Sequence, residues 1–169
     1  RTPFAGRNFE YYSEDAFLSG KLGYQAVNGA ATKGMYAFLK HFALNDQETH
    51  RDHLGIVTWA DEQTIREIYL KAFELVIVDN NVTINYNKGT QNEDGTTTYT
   101  FTTVEVPAAT AIMSSYNRIG PTWAGGNYDL ITEVLRGEWG FNGFVLTDYE
   151  VATYMFNDQC LAAGGDAKL

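Results

Sequence analysis

The sequence has 169 residues, of which 44% are hydrophobic and 14% aromatic, a composition that is typical of a globular domain with a sizeable core. Its net charge of −9 would repel a phosphate backbone, so we expect no nucleic-acid partner. The longest apolar run, near Leu75 to Val78, falls far short of the roughly 18 residues of a membrane span, so we expect no membrane partner.

The single cysteine, Cys160, excludes an intrachain disulfide and predicts a small buried side chain. No Cys/His pair has zinc-ligand spacing, and no cofactor motif is evident, so we expect neither a metal nor a cofactor. The chain opens on RTPFAGRNFEYY, without an initiator Met or a secretory signal. We interpret this start as lying inside a longer chain, and it gives no localisation.

Apolar spacing predicts a helix from Ser19 to about Ala31, followed by a buried strand within GMYAFLKHFAL. A second helix is predicted over ADEQTIREIYLKAFELVIVD, with Asp61 as its N-cap. Beyond it, ATAIMSSY indicates a strand, NYDLITEVLRGEWG a helix that begins near Asn127, and FNGFVLTDYE a strand around Val145. Near-continuous apolar strands that alternate with helices favour an α/β fold with parallel strands.

One segment breaks this alternation. Residues 80–107 alternate β-branched and aromatic side chains with Thr and Asn, which predicts a β-hairpin insertion. Turn signals occur at Lys88-Gly89 and at Asp94-Gly95. We interpret the hairpin as a surface flap, with a substrate-contacting or partner-contacting loop as the alternative.

Polar side chains follow all three predicted strands. Lys40 and His41 end the first, Tyr116 follows the second, and Asp148 follows the third. Because the carboxyl ends of parallel strands open on a common pocket, we expect these side chains to meet there. Taken alone, Asp148 could cap the next helix, but the shared position favours a functional site.

Three kinds of ligand are the candidates for such a site: a metal ion, a phosphate and a sugar. A metal, with His41, Asp46, His50 and His53 as its candidate ligands, would have to share the run 40–53 with two cations that repel it, and no metal-binding spacing occurs there. Phosphate would be opposed by Asp148, and no Gly-rich loop precedes a helix. Sugar chemistry fits better, because a carboxylate kept ionised by cations can attack an anomeric carbon.

Four motifs, GRNFEYYSED, KHFALNDQETHR, MSSYNRIG and LITEVLRGEWGFNGFVLTDY, resemble glycoside hydrolase family 3 in order and spacing. The resemblance covers nearly the whole chain. It implies part of a (β/α)8 TIM-barrel-type domain, with the hairpin inserted at about 80–107 and residues 1–169 an internal fragment of that domain. The Gly-His-Gly loop of the N-acetylglucosamine-cleaving members is missing after Lys40-His41, which favours the β-glucosidase or β-xylosidase branch.

The resemblance also implies roles for single residues. Asp148 matches the catalytic nucleophile, which forms a covalent glycosyl-enzyme in a retaining mechanism. Arg7, Lys40 and Arg51 would then hold Asp148 ionised. Glu10, by contrast, is interpreted as bracing a loop. The residues implied to bind or line the sugar are Arg7, Lys40, His41, Arg51, Met113, Tyr116 and Tyr149.

A retaining glycosidase needs a second carboxyl about 5 Å from the first to protonate the leaving oxygen. The resemblance implies that a downstream domain of the same chain supplies this acid/base. The expected substrate is a β-linked glucoside or oligosaccharide, and we expect residues 1–169 alone to be inactive. Exposed strand edges would favour self-association of the fragment. The alternative function is a non-catalytic carbohydrate-binding or structural barrel domain.

Overall fold

The computed structural model describes residues 2–51, 55–149 and 153–169. His53, one of the candidate metal ligands, lies outside these ranges. The described residues contain eight strands: β1 Phe38–Phe42, β2 Val57–Thr58, β3 Asn81–Gln91, β4 Thr97–Pro107, β5 Ala111–Ser114, β6 Arg118–Ile119, β7 Thr122–Trp123 and β8 Phe144–Leu146.

Helices flank these strands. One continuous helix over 62–77 is built from Glu62–Thr64, a π-type segment Ile65–Leu70, and Lys71–Ile77. Among the described residues, no helix has the length and apolar character needed to cross a membrane. The remaining helical segments are the short turn Asn8–Glu10, then Ala16–Ala31, the short turn Ala124–Gly126, the π-type Asp129–Glu138, and Asn157–Ala162.

The predicted helices are confirmed, and polar side chains fix their starts. The first helix begins at Ala16, before the expected Ser19, because the Asp15 carboxylate accepts a hydrogen bond from Leu18 N at 2.6 Å. Asp61 caps the 62–77 helix as predicted, accepting from Thr64 N at 2.8 Å. A carboxylate at either position satisfies a backbone N–H that the first helical turn leaves unpaired.

The central sheet is parallel, in the order β1, β5, β8. Leu39 pairs with Ile112, and Ile112 pairs with Val145, which sets the register across the three strands. The expected buried first strand is buried only at its end, since Phe38 is 43% exposed whereas Phe42 is fully buried. The α/β prediction is confirmed, although within the described ranges the sheet is open and not a closed barrel.

The core lies between this sheet and three helices, Ala16–Ala31, the 62–77 helix and Asp129–Glu138, each of which contributes buried side chains. The Phe42 ring packs edge-on against Phe73 of the 62–77 helix and against Trp139 after the 129–138 helix, with centroids 5.1 and 6.0 Å apart. Outside the core, the Arg66 guanidinium donates two hydrogen bonds to the Glu138 carboxylate at 2.6 and 2.9 Å. This bidentate pair joins the 62–77 helix to the 129–138 helix at the surface.

The predicted hairpin is present as the β3–β4 ribbon, with pairing unbroken from Asn81 opposite Pro107 to Gln91 opposite Thr97. Its turn lies at residues 92–96, where Asp94 accepts from Thr96 N and Gly95 has a φ of +82°. The turn predicted at Lys88-Gly89 was wrong, because Gly89 lies within β3 and pairs with Tyr99. A turn at that position would have removed the residue pairs of β3 and β4 that lie between it and residues 92–96.

Candidate active site

The carboxyl ends of β1, β5 and β8 converge on one cluster of polar side chains. Asp148 lies two residues beyond β8, where its backbone N–H donates to the carbonyl of Ser114 at 3.1 Å. This bond continues the parallel ladder past the end of the strand and fixes the Asp148 backbone beside β5. The next described helix has Phe156 as its N-cap, so Asp148 is not the cap of that helix.

The Asp148 carboxylate faces two nitrogens from the β1 side of the sheet. Its Oδ2 lies 3.4 Å from His41 Nε2 and 3.7 Å from Arg51 Nη1, and the side chain is only 14% exposed. Its Oδ1 accepts from the Tyr149 backbone N–H at 2.8 Å. One oxygen of this carboxylate is thus held by the backbone, and the other lies beside a guanidinium.

Three groups surround Arg51. Its Nε lies 2.9 Å from Glu48 Oε2, its Nη1 faces Asp148, and its guanidinium carbon stacks 4.7 Å from the centre of the Tyr116 ring. The Tyr116 hydroxyl donates to the Tyr149 carbonyl at 2.6 Å. Burial and the charge of Asp148 raise the pKa of Tyr116 to about 12, so the phenol keeps its proton near neutral pH.

Arg7 and Lys40 meet on a different carboxylate, that of Glu10. The Arg7 guanidinium donates to both Glu10 oxygens at 2.7 Å, and Lys40 Nζ lies 2.9 Å from Glu10 Oε2. These contacts, the Arg7 hydrogen bonds first, lower the pKa of Glu10 to about 2. The sequence had suggested that Arg7 and Lys40 stabilise Asp148 directly. Their ion pairs lie instead with Glu10, and for Arg7 also with Glu48 at 3.7 Å, so within the described ranges Arg51 is the arginine that pairs with Asp148.

His41 is buried beneath these cations. Burial, together with the charges of Lys40, Arg7 and Arg51, lowers the pKa of His41 to about 3, so the imidazole is neutral at physiological pH. Its Nδ1 lies 2.7 Å from the Tyr11 hydroxyl. The ring is therefore held between Tyr11 on one side and Asp148 on the other.

Met113 and Tyr149, the two remaining predicted residues, lie at the margin. Met113 is partly buried on β5 and pairs with Leu146 of β8. The Tyr149 side chain is 62% exposed, and it is the backbone of Tyr149 that bonds to its neighbours.

The sequence reasoning missed several members of the cluster. Glu48 joins Arg51 to Arg7 and accepts a hydrogen bond from Asn45 at 3.0 Å. Glu10 was expected only to brace a loop, yet it is the common partner of two predicted sugar-binding cations. One signal was available, because each carboxylate lies three residues from an arginine it pairs with.

A cavity of about 390 Å³ lies behind Glu10, Lys40 and His41, between the first helix and the 62–77 helix. Apolar side chains such as Val27, Phe73 and Val76 line much of it. Among the described residues, Asp148 and Arg51 are not part of its lining. The volume is therefore separate from the face on which Asp148 opens.

The described part of the cluster combines three carboxylates, a neutral imidazole and three cations. Within the described ranges, no group of three or more His, Cys, Asp or Glu side chains is placed to hold a metal ion. The Asp148 carboxylate can act as a nucleophile, and the N–H groups can donate to the hydroxyls of a neutral ligand.

The chain is similar to proteins of known activity. The profile of the "Glycosyl hydrolase family 3 N terminal domain" matches residues 1–165. A β-glucosidase from Ruminococcus albus is 36% identical over 149 residues, which cover 88% of this chain and 13% of that protein. An exo-α-(1→6)-L-arabinopyranosidase from Bifidobacterium longum is 37% identical over 149 residues, covering 88% of this chain and 16% of that protein.

Solved structures agree. β-Glucosidase 3B from Thermotoga neapolitana, solved with glucose, superposes with a TM-score of 0.76 at 34% identity, covering 100% of this chain and 19% of that one. The Bifidobacterium adolescentis GH3 β-glucosidase gives 0.75 at 32% identity, covering 99% and 20%.

These neighbours confirm that the α/β unit is part of a TIM-barrel-type domain. The chain spans less than a fifth of the length of the Ruminococcus and Bifidobacterium longum relatives. With the family profile matched from residue 1 to residue 165, the chain belongs to glycoside hydrolase family 3.

Proposed function

We propose that the chain carries the nucleophile half of a retaining β-glucosidase-type active site, with Asp148 as the nucleophile. In the first step the Asp148 carboxylate attacks the anomeric carbon, a C–O bond to the enzyme forms, and the bond to the leaving oxygen breaks as that oxygen receives a proton. In the second step water attacks the anomeric carbon and gives a proton to the acid/base, the C–O bond to Asp148 breaks, and the sugar leaves as Asp148 returns to a carboxylate. The observation that carries this proposal is the position of Asp148 Oδ2 beside His41 and Arg51.

The other cations suit the binding of a neutral sugar. Glu10 holds Arg7 and Lys40 together through three short contacts, which leaves N–H groups of both side chains available to sugar hydroxyls. His41, being neutral and buried, can donate only one N–H. We propose that these three residues and Arg51 bind hydroxyls of the terminal sugar, and that Met113, Tyr116 and Tyr149 line its pocket.

The acid/base belongs, in this proposal, to a downstream domain of the longer chain. A general acid needs a raised pKa, whereas the pKa of Glu10 is lowered to about 2 by Arg7 and Lys40. Glu10 is thus unsuited to protonate a leaving group. The short fraction of each relative that the chain spans leaves ample room for such a domain.

We propose a terminal, non-reducing β-D-glucosyl residue or a related sugar as the substrate. Most of the named relatives are β-glucosidases, but relatives of equal similarity are exo-α-(1→6)-L-arabinopyranosidases. Membership of the family therefore leaves several pyranosides to test. A panel of nitrophenyl β-D-glucoside, β-D-xyloside and α-L-arabinopyranoside, compared by kcat/KM, would rank them, and we expect the β-glucoside to rank first.

Covalent trapping in the longer chain tests the proposed nucleophile. A 2-deoxy-2-fluoro-β-glucoside with a good leaving group slows hydrolysis of the intermediate, so the sugar accumulates on the nucleophile. We expect mass spectrometry to find it on the peptide that contains Asp148. Sugar on another carboxylate, or NMR showing that α-glucose forms first, would contradict the mechanism. Glucoside binding without turnover would support the non-catalytic carbohydrate-binding alternative.

The isolated residues 1–169 should neither hydrolyse a chromogenic β-glucoside nor remain monomeric. Exposed apolar side chains cluster near the amino end of the sheet, where the Phe38 and Phe144 rings meet edge-on at 6.3 Å and are 43% and 44% exposed. Pairing of two copies would cover this surface. Light scattering should give twice the monomer mass of 18.9 kDa, and a stable monomer would contradict the proposal.

A further inference from the structure

Tyr11 contacts the nitrogen of His41 that faces away from Asp148. Its hydroxyl oxygen lies 2.7 Å from Nδ1, and the two ring centroids are 6.3 Å apart with planes inclined by 42°. Tyr11 directly follows the Asn8–Glu10 turn, which also carries the partner of Arg7 and Lys40. One short turn thus reaches both the imidazole and the two cations.

A neutral imidazole carries a single ring proton, on Nδ1 or on Nε2. The two possibilities differ in what His41 presents to Asp148, whose Oδ2 lies 3.4 Å from Nε2. With the proton on Nδ1, the Nε2 lone pair would face a negatively charged oxygen. With the proton on Nε2, an N–H dipole faces that oxygen, which is favourable in a buried site.

Asp148 resolves the choice, because a carboxylate without a proton can only accept, whereas the Tyr11 hydroxyl can donate or accept. Asp148 therefore selects the proton on Nε2, and Tyr11 completes the arrangement by donating its O–H to Nδ1. The reverse arrangement would satisfy Tyr11 equally well but would set a lone pair against the carboxylate. Both contacts agree on one tautomer.

We propose that Tyr11 is a positioning residue that orients the His41 ring, in the tautomer that Asp148 selects, so that Nε2–H lies on the Asp148 side. His41 then presents a donor to the carboxylate and to any sugar hydroxyl beside it. Tyr11 acts through His41, without touching the substrate. This inference rests on the proposed function for its catalytic consequence, but the tautomer itself is independent of turnover.

A double-mutant cycle in the longer chain tests the catalytic consequence. Tyr11→Phe keeps the ring and removes the hydroxyl, and we expect kcat/KM for a β-glucoside to fall about 5- to 10-fold, the usual effect of one lost hydrogen bond. In a His41→Asn background the same substitution should have almost no further effect. Tyr12→Phe, at a neighbouring tyrosine that is 58% exposed, is the matched control and should change kcat/KM less than about twofold. An equal loss from Tyr11→Phe in both backgrounds would overturn the inference.

Nitrogen NMR of 15N-histidine-labelled protein tests the tautomer directly, with His41→Asn to assign the signals. In the wild type we expect the proton on Nε2 and an Nδ1 signal shifted by the hydrogen bond from Tyr11, and in Tyr11→Phe the same tautomer with that shift lost. A wild-type spectrum with the proton on Nδ1 would overturn the inference even if the enzyme turns over normally. If turnover is absent, the proposed function fails while the wild-type spectrum still decides the role of Tyr11.

Discussion

The two ends of the parallel sheet are organised in opposite ways. At the carboxyl end, side chains from distant parts of the chain hold one another, as when Arg51 joins Glu48, Tyr116 and Asp148. At the amino end, the β3–β4 ribbon is held mainly by its own backbone ladder, and most of its side chains are exposed. A substitution at the carboxyl end should therefore disturb several contacting side chains, whereas a substitution in the ribbon should affect only its immediate neighbours.

The largest effect is expected at Asp148. Asp148→Asn in the longer chain keeps the shape but removes the nucleophilic charge, so we expect kcat for a chromogenic β-glucoside to fall by at least about 10³-fold. Asp158→Asn, at an exposed carboxylate of the last helix, is the matched control and should leave kcat unchanged. Retention of more than about a tenth of the wild-type kcat by Asp148→Asn would refute its assigned role.

The next effect is expected at Arg51. Arg51→Gln leaves Glu48 and Asp148 without their shared cation, and because buried charged groups are costly to leave unpaired, we expect kcat/KM to fall about 10- to 100-fold. Arg66→Gln removes an arginine that also pairs with two carboxylates, but on the helical surface. The kcat/KM of Arg66→Gln should match that of the wild type. Equal losses in both variants would contradict a specific role for Arg51 in the cluster.

A smaller, pH-dependent effect is expected at Glu10. Its pKa is lowered from 4.5 to about 2 in the folded protein, so its contribution to stability is present above pH 4.5 and is lost as the pH falls toward 2. Urea denaturation should show Glu10→Gln to be less stable than the wild type at pH 7 by about 1 kcal/mol.

The difference at Glu10 should shrink steadily below about pH 4.5. Glu93→Gln, at the exposed tip of the ribbon, should match the wild type at every pH. A gap between the Glu10 variant and the wild type that persists unchanged into acid would mean that the ion pairs with Arg7 and Lys40 are not its source.

The smallest effect is expected in the ribbon. Replacing residues 86–102 with Asn-Gly would close a two-residue turn between Asn85 and Thr103, which already face each other across the strands. The buried Val82 is kept, so the unfolding midpoint should move by less than about 2 °C and kcat/KM by less than about twofold. A large loss of activity would instead favour the alternative that the ribbon contacts substrate.

Patterns that act over a few residues were readable from the sequence. Asp61 and Asn127 marked helix starts because a side-chain oxygen there meets a backbone N–H three residues on, as the structure shows for both. The convergence of Lys40, His41 and Asp148 followed from the rule that parallel strands end on one side of a sheet.

The sequence did not reveal features that depend on contacts between residues distant in the chain. The sequence indicated that carboxylates and cations would be neighbours, but tertiary packing decides which pairs form. Arg7 and Lys40 therefore pair with Glu10, although they were expected to pair with Asp148. Gly89 gave a turn signal as strong as Gly95, and only the continuous pairing of β3 with β4 distinguishes them. The π-type segments of the helices left no mark in the apolar spacing.

The balance of charge in the cluster has a consequence for how a ligand arrives. Among the residues that the structure describes, its cations and carboxylates are equal in number, Arg7, Lys40 and Arg51 against Glu10, Glu48 and Asp148. Opposite charges at such short range cancel within a few ångströms, so the cluster itself adds little to the long-range field, which the net charge of −9 dominates. Under the proposed function, capture of an uncharged sugar would proceed by unguided diffusion and be almost indifferent to ionic strength.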